Sequence, residues 1–197
     1  MTIKALFILS SASLALAACH KTDTTDASAM NGTATTAAAT NDMMTSNAVA
    51  PVAPAMSAGQ TFANTAAASD AFEIETSKLA LTNTTIPVVK AFAQKMIDAH
   101  TESTAKLKAA AASATPAITP DATLSADQQQ KLEALKAMTG KAFDHAYVAD
   151  QSAGHQQTLD ALRAYSASGN VPQLKAFAIT LVPIVTAHLN MAKGLKA

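Results

Sequence analysis

The residues of this chain best suited to chemistry are three histidines and one glutamate: Glu73, His100, His155 and His188. Each stands within the apolar stripe of a different segment with helical periodicity, where a leucine would pack better. Imidazole and carboxylate groups together favour a divalent transition-metal ion such as Zn, Cu, Fe or Ni. The four residues therefore predict a metal site, provided that the fold brings them together.

Four long segments and one short segment carry the apolar spacing of amphipathic helices. Strand-like alternation is nearly absent, so the chain is predicted to be all-α, with four long helices in a bundle and one short extra helix. The predicted helices cover about 61–81, 87–113, 124–138 and 141–166, and the last begins at Pro172.

Helix boundaries have local signals. Ser125 and Gln128 have the spacing of a capping box. Pro87 suits a first helical turn, and Gly140 marks a joint between two helices. Gly169 is predicted to end a helix in the left-handed conformation that glycine tolerates.

The predicted helices place the four candidate ligands at similar heights. With a rise of about 1.5 Å per residue, Glu73 lies roughly 16 Å from the nearest interhelical turn. The corresponding distances are roughly 21 Å for His100, 20 Å for His155 and 24 Å for His188. All four side chains should therefore lie near the middle of the bundle.

A second interpretation of these histidines stays open at this point. They could form a structural polar layer with neighbouring polar side chains rather than bind a metal. In a metal site, the same neighbours would support the ligands from outside. They are Asp144, Tyr147 and Gln151.

Several catalytic classes lack their motifs. A di-iron carboxylate bundle needs Glu-x-x-His pairs, but Ile97, Ser152 and Val185 stand three residues before the histidines. The chain has no Gly-rich phosphate loop, no Gly-x-Ser-x-Gly elbow and no Cys-x-x-Cys pair. An enzyme is thus the least favoured interpretation, and no catalytic residue is assigned.

The N-terminal part predicts export and lipid anchoring. Residues 1–18 have a lysine, an apolar run and small residues, which is typical of a signal peptide. Leu16-Ala17-Ala18-Cys19 resembles a bacterial lipobox, so Cys19 is expected to carry acyl chains that bind the membrane. Residues 19–59 are rich in Thr, Ala, Ser and Asn and are predicted to be a flexible tether to a domain at 60–197. His20 stands where inner-membrane lipoproteins carry aspartate, which favours the outer membrane, facing the periplasm.

Charge excludes one class of partner. The formal net charge is zero, with 14 basic and 14 acidic residues, which argues against a nucleic-acid binder. No feature of the sequence identifies a protein partner.

The folded part also resembles a known family. The resemblance lies in FEIETSKLAL, VKAFAQKMIDAH, FDHAYVADQSAGHQQTL and LKAFAITLVPIVTAHLNMAKGL. These stretches are similar to an exported bacterial family of unknown function, often labelled outer-membrane proteins, with a ferritin-like four-helix fold. The family usually has aspartate directly before the second-helix histidine, whereas this chain has Ala99 there and Asp98 one step earlier. Positions matching the family's polar signature are Glu73, His100, Asp144, Tyr147, His155 and His188.

Two functions follow as hypotheses. The first is a lipid-anchored envelope protein whose helical bundle binds a transition metal at the His/Glu cluster. The second is a non-catalytic structural or interaction module of the envelope, in which the histidines only order the core.

Overall fold

The computed structural model describes residues 56–196, which fold into helices and contain no strand. The all-α prediction is confirmed, with four long helices and one short one. The predicted signal peptide, Cys19 and nearly all of the predicted tether lie outside the described residues. The helices are α1 (Ala58–Asn83), α2 (Pro87–Ala112), α3 (Ala126–Lys136), α4 (Gly140–Ser168) and α5 (Pro172–Gly194).

Side chains at the helix ends explain most boundaries. Ser57 caps α1 by accepting a hydrogen bond from the backbone N–H of Gln60, so this helix begins a few residues before its predicted start. Ser125 and Gln128 form the predicted capping box of α3. Pro87 lies in the first turn of α2, as predicted.

The prediction for Gly169 was wrong. Its φ of −59° and ψ of 137° are not left-handed. A Cβ at this position would lie 2.5 Å from the carbonyl oxygen of Tyr165, so glycine is needed for close approach of the backbone. The left-handed glycine of the described chain is Gly140, with φ 58°, at the predicted joint before α4.

The four long helices form a bundle of two antiparallel hairpins. Helix α1 packs against α2 and α4, and α5 packs against the same two helices, so α1 and α5 lie diagonally opposite each other. The connection between the hairpins begins at one end of the bundle, where the side chain of Gln60 donates to the carbonyl of Thr119. The connection reaches the other end of the bundle, where the side chain of Asn83 donates to the carbonyl of Met138. Helix α3 lies within this connection and packs on α1 and α4. One long crossover of this kind is the ferritin-like arrangement.

A layer of buried polar residues lies between two apolar clusters. One cluster includes Phe62, Leu162 and Phe177, and the other includes Phe92 and Phe143. Between them the bundle buries both carboxylates and imidazoles. The main members of this layer are Asp70, Glu73, His100, Gln151, His155 and His188.

Among the described helices, α5 has the length and apolar composition of a membrane span. Its residues Leu174, Leu181 and Leu189 are buried inside the bundle. Ile179 and Ile184 of the same helix are exposed, so the bundle covers only part of its apolar surface.

Candidate metal centre

The three histidines converge at the centre of the bundle from α2, α4 and α5. The distances between their ring centroids are 5.5 Å for His100–His155, 5.7 Å for His100–His188 and 5.6 Å for His155–His188. The side chains are buried, with at most 5% of any of these residues exposed. One nitrogen from each ring lies within 4.8 Å of the corresponding nitrogens of the other two.

Hydrogen bonds fix two of the rings through the same ring atom. Nδ1 of His100 donates to Oδ1 of Asp70 at 2.8 Å, and Thr104 donates to the other oxygen of that carboxylate. Nδ1 of His155 donates to the carbonyl oxygen of Gln151 at 2.8 Å. Ligand histidines in metal sites are usually oriented in this way, with the second nitrogen left for the ion.

Each of the three histidine rings has one buried nitrogen without a hydrogen-bond partner among the described residues. Nε2 of His100, Nε2 of His155 and Nδ1 of His188 are all fully buried and make no hydrogen bond. An unpaired buried polar atom costs about 1–3 kcal/mol. Because the three rings lie side by side, one electron-pair acceptor placed among them could satisfy these atoms together.

The electrostatics leave two of the rings neutral. Burial, followed by the charge of His100, lowers the pKa of His155 to about 3, although the bond to Gln151 opposes the shift. The same two causes lower the pKa of His188 to about 4. Both rings therefore carry a free lone pair at neutral pH, as metal ligation requires.

His100 behaves in the opposite way. Burial by itself would lower its pKa, but the hydrogen bond to Asp70 and the charges of Glu73 and Asp70 outweigh burial and raise the pKa above its ordinary value. Without a metal, His100 is thus the ring of the three that most readily takes a second proton. A metal ion would have to displace that proton.

Glu73 lies beside the histidines but outside their group. Its Oε1 is 3.6 Å from Nδ1 of His155, the nitrogen that already donates to Gln151, and its Oε2 is buried without a hydrogen-bond partner among the described residues. Burial raises its pKa to about 7, although His100 opposes the shift. The group of mutually close ligand atoms contains the three histidines and not this carboxylate.

The residues that form this site lie within a part of the chain that matches a known family. The sequence matches the family described as Domain of unknown function (DUF4142) over residues 22–195. The chain belongs to this family. No curated protein and no solved structure matches it.

Of the three residues predicted to support the ligands of this DUF4142 domain, only Gln151 has a hydrogen bond to a histidine. Gln151 supplies its carbonyl to His155 and donates through its side chain to Thr76 at 3.2 Å. The hydroxyl of Tyr147 pairs with Ser77 at 2.8 Å rather than with a histidine, and burial raises its pKa. Asp144 is 1% exposed, and neither of its carboxylate oxygens has a partner in the described part of the chain.

Sequence reasoning missed Asp70. The structure buries Asp70, whereas the neighbouring Ser69 is half-buried. A usable signal existed, because Asp70 precedes Glu73 by three residues and must share its helix face. Two acidic residues on one core-facing side of α1 would have indicated partners for the histidines.

Proposed function

We propose that this DUF4142 domain binds one divalent transition-metal ion through His100, His155 and His188. The observation that carries the proposal is the convergence of three buried histidines, with one nitrogen of each ring within 4.8 Å of the others. Each of these rings also has a buried nitrogen without a partner among the described residues. Three imidazole ligands suit Zn, Cu, Fe or Ni, and a protein site with three histidines has precedent in zinc enzymes.

The distances are compatible with modest closure around an ion. At metal–nitrogen bonds of about 2.0–2.1 Å, tetrahedral geometry sets nitrogens about 3.3 Å apart. The rings, whose nitrogens now lie within 4.8 Å of one another, need only move inward by small shifts. Asp70 and Glu73 supply nearby carboxylates that offset the charge of a divalent ion.

The alternative of a purely structural polar layer explains only part of the contacts. It accounts for the bonds of His100 to Asp70 and of His155 to Gln151. It does not account for the three nitrogens left without partners, since a structural layer is stable when each buried polar atom is paired. The metal site is therefore the better supported function.

Metal binding is tested with the full chain purified without a histidine tag, stripped of metal and titrated with Zn, Cu, Fe and Ni ions in a calorimeter. The expected result is one ion per chain, with binding lost in His155→Ala and His188→Ala. His145→Ala is the matched control, because His145 lies on α4 but is exposed. Failure of all four ions to bind would remove the proposal.

We also propose that Cys19 anchors the domain in the envelope, with the outer membrane as its site. The support is the lipobox-like Leu16-Ala17-Ala18-Cys19 after an apolar run, and His20 in place of aspartate. A fatty-acid label should be incorporated by the wild-type chain and not by Cys19→Ser. Membrane fractionation should find the unsubstituted chain with the outer membrane. An unlabelled wild-type chain would contradict the anchor.

A metal bound in such an anchored domain would lie in the periplasm. With three neutral ligands buried in a bundle, the domain suits metal handling or tolerance of metal stress rather than a reaction that needs paired carboxylates. Growth of a deletion strain in excess metal, complemented by wild type but not by His188→Ala, is the corresponding physiological test.

A further inference from the structure

In cross-section, each of the four long helices occupies one quadrant of the histidine layer, and the quadrant of α1 differs from the other three. Helices α2, α4 and α5 each contribute a ring, whereas α1 contributes Asp70, which is occupied with Nδ1 of His100 and Thr104. One helical turn before Asp70, α1 carries only the small side chain of Ala66. No described side chain on this quadrant belongs to the group of mutually close ligand atoms.

A cavity fills the space that this arrangement leaves. It is lined by residues of all four long helices, including Ala66 and Asp70 from α1 and two of the histidines, His100 and His188. Ile184, which is 37% exposed, lies at its edge, so the cavity is close to solvent. His100 and His188 therefore line an internal space on one side of the histidine layer, whereas His155 does not.

The other side of the layer is packed differently. Glu73 and Gln151 lie one turn from Asp70 and His155 respectively, and Met96 lies one turn from His100. These residues are at most 1% exposed and do not line this cavity. Glu73 lines a second cavity, beside α3, but no histidine lines that one. Of the two cavities, the one beside Ala66 therefore borders the histidines.

We propose that the metal site keeps one coordination position open toward this cavity, where a small exogenous ligand of two or three non-hydrogen atoms binds. The proposal rests on the metal site proposed above and adds the class of molecule that it takes. Structural zinc sites are closed by four protein ligands, whereas sites with three protein ligands leave a position for water or substrate.

The size of the cavity limits the ligand. The space that the centre of a water-sized sphere can occupy is about 20 Å³. One water molecule needs about 10–15 Å³ by this measure, so the cavity takes a diatomic or triatomic species and excludes organic substrates. A linear triatomic ion such as azide meets this size limit.

Azide is the probe for this position, and Co²⁺ is the spectroscopic metal. The full chain is loaded with Co²⁺, its visible absorption is recorded, and azide is added. The expected result is a saturable change in the absorption bands, since the coordination of the ion changes.

Two variants on α1 localise the azide. Ala66→Val places two methyl groups in the cavity and should weaken azide by at least about tenfold, because overpacking a filled site carries a penalty of that order. Its Co²⁺ affinity should stay unchanged. Ala71→Val is the matched control, since Ala71 is also half-buried on α1 but lines a separate groove.

A third variant works in the opposite direction and does not depend on overpacking. Val185→Ala removes two methyl groups from the cavity wall, so it should tighten binding of the bulkier thiocyanate. Co²⁺ binding without any spectral response to azide would overturn the open position and leave the metal site standing. Equal azide affinity in wild type and Ala66→Val would overturn the assignment to this cavity. Absence of binding by Co²⁺ and by each of Zn, Cu, Fe and Ni would overturn both proposals.

Discussion

Replacing His155 by leucine should change how the stability of the metal-free protein depends on pH. The side chain is 1% exposed and its pKa is lowered to about 3 by burial and by the charge of His100. Leucine has a similar volume and no titrating group. The variant therefore removes one buried ring that must stay neutral in the folded state.

The sign and size follow from proton linkage. Above the ordinary pKa of 6.5, the ring is neutral in both the folded and the unfolded chain, so pH has no effect through this group. Below 6.5 the unfolded wild type binds a proton at His155, while the folded state does not until the pH nears 3. Each pH unit in this window costs the wild type about 1.4 kcal/mol relative to the variant. Between pH 6.5 and pH 5 the difference amounts to about 2 kcal/mol.

The assay is urea unfolding of both proteins in a metal chelator at pH 7 and pH 5. The free energy of unfolding of His155→Leu minus that of wild type should be larger at pH 5 by about 2 kcal/mol. Leu159→Ala is the control on the same helix, because it destabilises the core without removing a titrating group, so its difference from wild type should not depend on pH. A pH-independent difference for His155→Leu would refute the idea that this ring is held neutral.

Three further predictions concern the neighbours of the histidines. Asp70→Asn should keep a hydrogen bond to His100 but lower metal affinity by about 10–100-fold, as loss of a supporting carboxylate does elsewhere; unchanged affinity in a competition titration would contradict this role. Metal binding should release protons, because the raised pKa of His100 favours its charged form and a ligand ring must be neutral; calorimetry in buffers of different ionisation heat measures the release, and a buffer-independent heat would speak against it. Gly154→Ala should lack the gain of about 1 kcal/mol usual for a mid-helix glycine, since its Cβ would lie 3.0 Å from Oε1 of Glu73. Thermal unfolding tests this, and a clear stabilisation of Gly154→Ala would show that Glu73 yields easily.

The sequence was informative wherever local chemistry decides the structure. Ser125 and Gln128 predicted a cap that depends on residues three apart, and apolar spacing placed all five helices. The same spacing put His100 and His155 on core-facing stripes at similar heights. Both residues lie near the middle of their helices, so they were expected to meet near the middle of the bundle whichever way the helices run.

What the sequence could not supply depends on contacts between helices. Asp70 reaches His100 across the interface of α1 and α2, and Gly169 is required by the backbone of Tyr165 rather than by its own φ. Which ring nitrogen is paired and which is free is also invisible in a sequence, because it follows from side-chain rotamers. The free nitrogens nevertheless decide the function proposed for this family member.

The most direct test of the metal site is X-ray absorption spectroscopy of the full chain loaded with one equivalent of Zn²⁺. Three nitrogen neighbours are expected at about 2.0–2.1 Å, with the outer-shell scattering of imidazole rings, and that scattering should be reduced in His188→Ala. A spectrum with oxygen neighbours only, or one that His188→Ala leaves unchanged, would contradict the metal site.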